Sequence, residues 1–243
     1  MAIAPSRSDC KVRTEGIRSL FSEDNLNRLK TIMYAKQVNA GSFLFWEGDA
    51  ANQLYYVKKG SVKISKTTDA GTKVTLYMHH AGDLFGQITP FQQSMLSYDA
   101  EVMEDAEIGV IQQKDLEVLL WQHGELAVDF MKWMGMMHQM TQTKFRDLML
   151  YGKTGALCSL LIRLSNSYGS PQGDHIVIEK KLTNSEMAEM IGATRESVNR
   201  MLSDLRKNDV IAVEKSGQIT IQDFVYLRDI CHCENCPLEI CRV

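Results

Sequence analysis

Apolar and polar positions alternate in short runs between about residues 36 and 112. Strand-like pieces such as LYYVKKG, SVKISKTT and KVTLYMHH are separated by glycine turns. Short strands at that spacing are typical of an antiparallel roll or barrel. Before them, SEDNLNRLKTIM has a helical pattern with Ser22 as its expected N-cap. The pattern therefore predicts a short helix followed by an antiparallel β-roll.

The period becomes helical at about Gln112 and stays helical to about Lys153. Apolar positions then recur at alternating steps of four and three, the spacing of a coiled-coil seam. Because so long a helix needs a partner for its apolar face, we expect a symmetric homodimer. A helix packed on its own domain would show a similar stripe. We expect His138 to be a packed core residue and not a ligand. The seam positions are Ala127, Met131, Met134, His138, Thr141, Phe145 and Leu148.

The segment 154–229 contains a helix, a short glycine turn and a second helix. Thr183 and Glu186 have the spacing of a capping box at the start of the first helix. Gly192 supplies the backbone freedom that a tight turn requires, and Thr194 is expected to cap the second helix. This layout places a recognition helix in the DNA major groove.

The second helix carries the side chains expected to read DNA. Arginine can donate two hydrogen bonds to guanine, and glutamate can accept one from cytosine. The next stretch, VIAVEKSGQITI, predicts a two-stranded wing that turns at Ser216 and Gly217. The alternative is a solvated face with an ion pair between Glu196 and Arg200, since residues 181–215 carry six basic and six acidic side chains. The expected DNA-binding residues are Thr194, Arg195, Glu196, Ser197, Asn199 and Arg200.

Composition changes this picture little. With 44% hydrophobic and 23% charged residues the chain is neither a fibre nor globally disordered. A net charge of -3 gives no overall basic footprint, so DNA recognition must come from a local arrangement. The N-terminus lacks a signal-peptide core and no run approaches the roughly 18 apolar residues of a membrane span. We therefore expect a cytoplasmic protein with no membrane partner.

The chain ends in CHCENCPLEICRV, which holds four of its six cysteines. In a reducing compartment such a cluster indicates a metal or redox site. A structural zinc prefers two separated pairs of ligands, whereas thiolates crowded into one short loop suit an iron–sulfur cluster. A bare thiol switch is the third alternative. Cys10 is isolated, and Cys158, in an apolar run, is expected to be a buried core residue.

Along nearly its whole length the chain resembles the CRP/FNR transcription regulators. The resemblance rests on YYVKKGSVKI at 55–64, GDLFGQ at 82–87 and TNSEMAEMIGATRESVNRML at 183–202. It implies an α+β fold and a regulator that is not an enzyme. The implied parts are an antiparallel β-roll like a cyclic-nucleotide-binding domain (1–120), a long dimerisation helix (121–153), a winged helix-turn-helix (154–228) and a cysteine-rich cluster-binding tail (229–243).

The resemblance also implies the DNA sequence and the partners. The family pattern Arg-Glu-x-Val-x-Arg, here Arg195, Glu196, Val198 and Arg200, is similar to the version that reads TGTGA half-sites. The implied partners are a second copy of the chain, double-stranded DNA with a palindromic operator, and RNA polymerase.

Members that bind cyclic nucleotides share a cassette in which a glutamate holds the ribose and an arginine neutralises the phosphate. Gln87 replaces that glutamate, and the stretch FGQITPFQQSMLSYDAEV contains no arginine. A buried phosphate without a cation would cost several kcal/mol. We therefore expect no cyclic nucleotide to bind, although a pocket for another small molecule stays open.

The tail looks like that of the Bacillus-type Fnr group, which carries a C-terminal [4Fe-4S] cluster. That resemblance implies one cluster per subunit, held by Cys233, Cys236, Cys241 and, from the dimerisation helix, Asp147. Cys231 is then surplus. The alternative for Asp147 is a surface carboxylate paired with Arg146 or Lys144. Alanine at this position is expected to weaken or destabilise the cluster without unfolding the dimer.

A cluster bound in this way would tie the tail to the dimerisation helix. It would hold the recognition helices about 34 Å apart, one turn of DNA, and its attack by oxygen would release the tail. The expected function is therefore oxygen-responsive transcription regulation, including activation, of anaerobic genes. The competing function is a small-molecule-gated regulator whose tail is a structural zinc site or a thiol switch.

Overall fold

The structure is a computed structural model that describes residues 16–88, 94–214 and 216–243. It divides into two compact units, one spanning Glu15–Met136 and the other including Met137–Val243. Cys10 and part of the expected nucleotide cassette, residues 89–93, lie outside the described residues.

The first unit begins with a short 3-10 helix, Gly16–Ser19, and α1, Glu23–Thr31. Ser22 caps α1 by accepting a hydrogen bond from the backbone N–H of Asn25, as predicted. Eight strands follow: β1 Tyr34–Val38, β2 Phe43–Phe45, β3 Gln53–Lys59, β4 Ser61–Thr67, β5 Lys73–His80, β6 Leu84–Gly86, β7 Asp99–Val102 and β8 Ala106–Gln112.

These strands form two antiparallel four-stranded sheets with the orders β1-β8-β3-β6 and β2-β7-β4-β5. Alternate apolar side chains from both sheets, including Val57, Val62, Phe85 and Ile108, make one core. The predicted β-roll is confirmed. Gly86 has a φ of 124°, and a Cβ there would lie 2.8 Å from the Gln53 carbonyl oxygen, so β6 can approach β3 only with glycine.

Two helices follow the roll: α2, Gln113–Gln122, and α3, Gly124–Tyr168. The helical period of the sequence is thus confirmed. One residue interrupts α3, because Gly152 has φ 60° and ψ −165°. The residues before Gly152 form the expected dimerisation helix, and those after it belong to the core of the second unit.

The second unit continues with β9 Gly169–Gln172, β10 His175–Ile178, α4 Asn184–Ile191, α5 Arg195–Lys207, β11 Ile211–Val213, β12 Ile219–Ile221 and α6 Phe224–Ile230. The strands form one antiparallel sheet in the order β11-β12-β10-β9. β11 and β12 are the predicted wing, whereas β9 was not anticipated. Among the described residues, no helix is long and apolar enough to cross a membrane.

Candidate functional site

The predicted recognition helix is α5, and its caps are those expected. Thr194 Oγ1 accepts a hydrogen bond from the Ser197 N–H at 3.2 Å. Before the turn, Thr183 and Glu186 form a complete capping box at the start of α4. Gly192 ends α4 in the left-handed conformation, with φ 61°. The caps and the turn of the helix-turn-helix therefore form between residues that are close in sequence, as predicted.

One face of α5 is buried and the other is free to meet DNA. Asn199 accepts a hydrogen bond from the Asn184 amide at 3.2 Å, which joins α5 to α4. Within the described part of the chain, no ion pair links Glu196 to Arg200, but both side chains are exposed, so the solvated-face alternative stays open. Of the predicted DNA-binding residues, Ser197 is half-buried and Thr194, Arg195, Glu196, Asn199 and Arg200 are exposed.

The predicted seam along the first part of α3 is not covered by its own chain. Met131 is 62% exposed and Phe145 65% exposed, with Met134 and Leu148 also exposed. The alternative, in which the stripe packs on its own domain, is therefore wrong. His138 is exposed in the single chain, so its packing depends on a second copy, and the expectation that it is a packed residue stays a prediction. Exposed apolar surface of this extent marks an interaction face.

Gln87 directly follows β6 and is half-buried. The described residues of the stretch 85–102 contribute glutamine, tyrosine and acidic side chains but no arginine. The roll therefore offers no guanidinium at this stretch for a phosphate.

Asp147 lies in α3 just before the break at Gly152, and its side chain is buried, with 3% exposure. The alternative that Asp147 lies at the surface is therefore wrong. Its other part, a pair with Arg146, is present at 2.8 Å. Because removal of a buried charge leaves its partners unpaired, we expect alanine at this position to destabilise the fold itself.

Both carboxylate oxygens of Asp147 are occupied. Arg146 donates to Oδ1 from Nε at 3.2 Å and from Nη2 at 2.8 Å. Oδ2 accepts from Ser159 Oγ at 2.5 Å and from Arg163 Nη2 at 3.0 Å. Four donors fill the acceptor capacity of a carboxylate, so a metal ion could bind Asp147 only by replacing at least one of them.

The cysteine loop is held against α3 near Asp147. Arg146 forms a second ion pair, with Glu234 in the loop, and the ring of His232 stacks on Tyr151 with centroids 4.8 Å apart. His232 and Asn235 both have positive φ, at 45° and 55°. Such values bend the chain sharply, and the two bends flank Cys233 and precede Cys236.

The end of the tail is fastened to the second part of α3. Arg163 Nη1 donates to the Ile240 carbonyl at 3.1 Å, and Asn166 Nδ2 donates to the Cys241 carbonyl at 2.6 Å. The Val243 N–H donates to Ser167 Oγ at 3.2 Å. These hydrogen bonds bring the tail, α3 and Asp147 together.

Two thiols of the tail, those of Cys241 and Cys231, are affected by burial and by nearby charges. Burial raises the pKa of Cys241 to about 11, with the Arg163 charge opposing this and Cys233, Cys236 and Asp147 adding to it. Cys231 caps α6, is 3% exposed, and directs its thiol to the Arg228 carbonyl at 3.7 Å. Burial and the charges of Cys233 and Asp147 raise the pKa of Cys231 to about 12, and the expectation that Cys231 is surplus stays a prediction.

The donor set suits an iron–sulfur cluster in kind. Thiolates are the ligands that such clusters take, and a carboxylate is a harder fourth ligand. Among the described residues, no group of three or more His, Cys, Asp or Glu side chains is arranged as a metal site. The assignment of Cys233, Cys236, Cys241 and Asp147 as ligands therefore stays a prediction, and it requires side chains to reorient.

Arg163, Ser159 and Asn166 were missed in the sequence. The signal was present, because Arg163 is the lone charged residue in GALCSLLIRLSNSYG. A charge within an apolar helix must find a partner when the helix is buried. The partner could not be found, since it lies sixteen residues away across the break at Gly152.

Two sequence families match the chain. Residues 35–123 match the "Cyclic nucleotide-binding domain" and residues 155–230 match the "Crp-like helix-turn-helix domain". The two matches correspond to the roll and to the winged helix-turn-helix.

Relatives and solved structures agree with these matches. The chain is 43% identical to the Anaerobic regulatory protein of Bacillus subtilis over all of this chain and 98% of the relative. It is 30% identical to the Global nitrogen regulator of Synechocystis over 76% of this chain and 82% of the relative. Its fold is similar to a CooA mutant from Carboxydothermus hydrogenoformans (TM-score 0.74, 19% identity, covering 91% of this chain and 98% of the other). It is also similar to FixK2 from Bradyrhizobium japonicum (TM-score 0.67, 16% identity, 82% and 97%).

Proposed function

Because the chain belongs to the Crp/Fnr family of transcription regulators, which are not enzymes, we propose that it is an oxygen-responsive regulator of anaerobic genes. In this proposal it is a cytoplasmic homodimer that binds palindromic DNA operators when each subunit holds an oxygen-labile [4Fe-4S] cluster. RNA polymerase is its partner at promoters that it activates.

The exposed face of α5 supports the proposed DNA sequence. Arg195 and Arg200 each read a guanine of a TGTGA half-site, and Glu196 accepts from a cytosine on the opposite strand. The wing strands β11 and β12 pair within the sheet of the second unit, and β11 contacts α5. The homodimer forms along the uncovered seam of α3, where Met131 and Phe145 are more than half exposed.

One observation carries the cluster proposal: Asp147, buried and far from the tail in sequence, shares Arg163 with the Ile240 carbonyl next to Cys241. Cys233, Cys236 and Cys241 would hold the cluster, with Asp147 as its fourth ligand. The cluster, when bound, would supply the sensitivity to oxygen. Arg146 would keep Glu234 as its partner while Asp147 turns to the metal.

The roll is proposed to be a scaffold that binds no cyclic nucleotide, since Gln87 and its neighbours offer the phosphate no cation. Calorimetry with cyclic AMP tests this, and micromolar binding would contradict it. We also propose that the chain divides into four parts, with boundaries after residues 120, 153 and 228. The last part, the tail, is the segment that binds the cluster.

The deciding experiment is purification without air. We expect a brown protein with four iron and four sulfide per subunit that bleaches in air, and that binds a TGTGA palindrome only before bleaching. The match of residues 35–123 to the cyclic-nucleotide-binding family favours one alternative, a small-molecule-gated regulator with a zinc or thiol-switch tail. A colourless protein that contains zinc, or no metal, and still binds the operator in air would support that alternative.

A further inference from the structure

Arg163 is a buried cation at the junction of three segments. It belongs to the second part of α3 and is 5% exposed, between the buried apolar side chains of Ile162 and Leu164. A guanidinium in such surroundings is stable only when its donors are satisfied. Its partners therefore show what holds this part of the molecule together.

All three nitrogens of Arg163 donate hydrogen bonds. Nε donates to Ser159 Oγ at 3.3 Å, within the same helix. Nη2 donates to Asp147 Oδ2 at 3.0 Å and to Thr143 Oγ1 at 3.1 Å, both in the first part of α3. Nη1 donates to the Ile240 carbonyl at 3.1 Å. A single side chain thus joins both parts of α3 to the tail.

Asn166 adds a second bond, three residues further along α3. Its amide donates to the Cys241 carbonyl at 2.6 Å, so two consecutive carbonyls of the tail are held by two side chains of one helix. The segment that ends at Cys241 is compact, because the N–H groups of Ile240 and Cys241 both donate to the Pro237 carbonyl. Fixing the two carbonyls therefore fixes the position of the Cys241 backbone.

We propose that Arg163 is a positioning residue that holds Asp147 and the Cys241 segment beside each other before any metal binds. This proposal rests on the proposed function, in which these two residues are ligands of one cluster. Arg163 does not bind the metal. It restricts the conformational freedom of the ligands before binding, so less conformational entropy is lost when the metal binds. Pre-organisation favours binding in this way.

The role requires arginine. Lysine carries one nitrogen at the end of its side chain, whereas the guanidinium presents donors in a fixed planar fork that reach acceptors on opposite sides. Lysine at position 163 would keep the charge that balances Asp147 and lose the simultaneous bond to Ile240. Arg163→Lys therefore separates the positioning role from simple charge neutralisation.

The test measures thiol labelling in the full chain without metal and without air. The rate of alkylation of Cys241 by iodoacetamide is followed by mass spectrometry, with Cys158, which is fully buried in the core, as an internal standard. We expect the ratio of the Cys241 rate to the Cys158 rate to rise roughly tenfold or more in Arg163→Lys and in Asn166→Ala, since each frees the Cys241 segment. Asn208→Ala, which removes an exposed contact to the Asp204 carbonyl in the same unit, should leave the ratio unchanged.

An unchanged ratio in Arg163→Lys would overturn the proposal, and this includes the case in which both thiols accelerate equally because the whole unit opens. Should Arg163→Lys fail to fold, the same ratio is measured in Arg163→Gln combined with Asp147→Asn, which removes both charges of the buried pair together. The measurement uses no metal and so stays separate from the proposed function: a parent chain that never acquires iron contradicts the cluster, whatever the labelling ratio shows.

Discussion

Arg163 and Asp147 form a buried ion pair across the break in α3, with Nη2 of the arginine 3.0 Å from Oδ2 of the aspartate. Neither side chain is more than 6% exposed. Gly152, which lies between them in the chain, ends the regular helix. The pair therefore connects two helical segments that the backbone alone does not hold in register.

Replacing Asp147 with alanine should destabilise the protein even without metal. Removing one partner of a buried pair leaves the other charge unpaired, which costs about 3–5 kcal/mol in the free energy of unfolding. Urea denaturation of the protein stripped of metal measures the change. In the Arg163→Met background the same aspartate substitution should cost much less, and equal costs in both backgrounds would show that the pair contributes nothing.

Iron content should distinguish the four tail cysteines. Serine at position 233, 236 or 241 should abolish cluster binding and operator affinity together, because each removes a thiolate ligand. Cys231→Ser is the matched control and should leave both nearly intact, since that thiol is buried against the Arg228 carbonyl. Iron and sulfide are measured in all four variants without air. Loss of the cluster in the Cys231 variant with retention in the Cys241 variant would reverse the ligand assignment.

Phe145→Glu should produce a monomer. The phenylalanine is 65% exposed in the seam of α3, and a carboxylate there would be buried without a partner in the dimer, so the dissociation constant should rise roughly 100-fold or more. Sedimentation equilibrium measures it. Val225→Glu is the control, because Val225 is equally exposed but lies on α6. Dimers of unchanged stability in the Phe145 variant would place the interface elsewhere.

Glu196→Ala should relax specificity at one base pair. Loss of a base contact costs about 1–3 kcal/mol per half-site and affects one position, whereas loss of a phosphate contact lowers affinity for every sequence alike. The measurement is a binding series against single-base variants of a TGTGA palindrome, with the cluster intact. A uniform drop would mean that Glu196 only orients the helix.

Alkylation of the stripped protein should depend on pH in a residue-specific way. Burial raises the pKa of Cys158 to about 12, and burial together with Cys233 and Asp147 does the same for Cys231. The reactive thiolate therefore forms in these two only at high pH, so at pH 8 their labelling should be slow and should rise about tenfold per pH unit. Cys236, which is half-buried, should react first. Labelling of Cys231 as fast as Cys236 would contradict its burial.

Local signals in the sequence were sufficient for the elements that carry them. Ser22, Thr183 and Thr194 cap helices where their spacing predicts, because capping involves only the next three residues. The alternating strands and the glycine turns between them are also local signals, and they predicted the class of the roll but not its long-range strand pairs, such as β1 with β8. β9 was missed because GSPQ has no strand pattern, and it forms only by pairing with β10.

The surroundings of Asp147 could not be predicted in this way. Its burial depends on Ser159 and Arg163, and these reach it because α3 is interrupted at Gly152. His138 shows a second limit of prediction from sequence. A helical stripe predicts which residues share a face but not whether the same chain covers that face. Periodicity is local information, and both of these outcomes are tertiary.

The interruption at Gly152 also divides the dipole of α3. A continuous helix would place its negative end near Tyr168, but the break creates a carboxyl-terminal end within about one turn of Asp147, where partial negative charge of about half a unit collects. An acidic side chain is disfavoured at that end of a helix and a cation is favoured. The same break also creates an amino-terminal end of opposite partial charge after Gly152, so the charge of Asp147 is offset by the guanidiniums of Arg146 and Arg163, at 2.8 and 3.0 Å, and not by the helix ends.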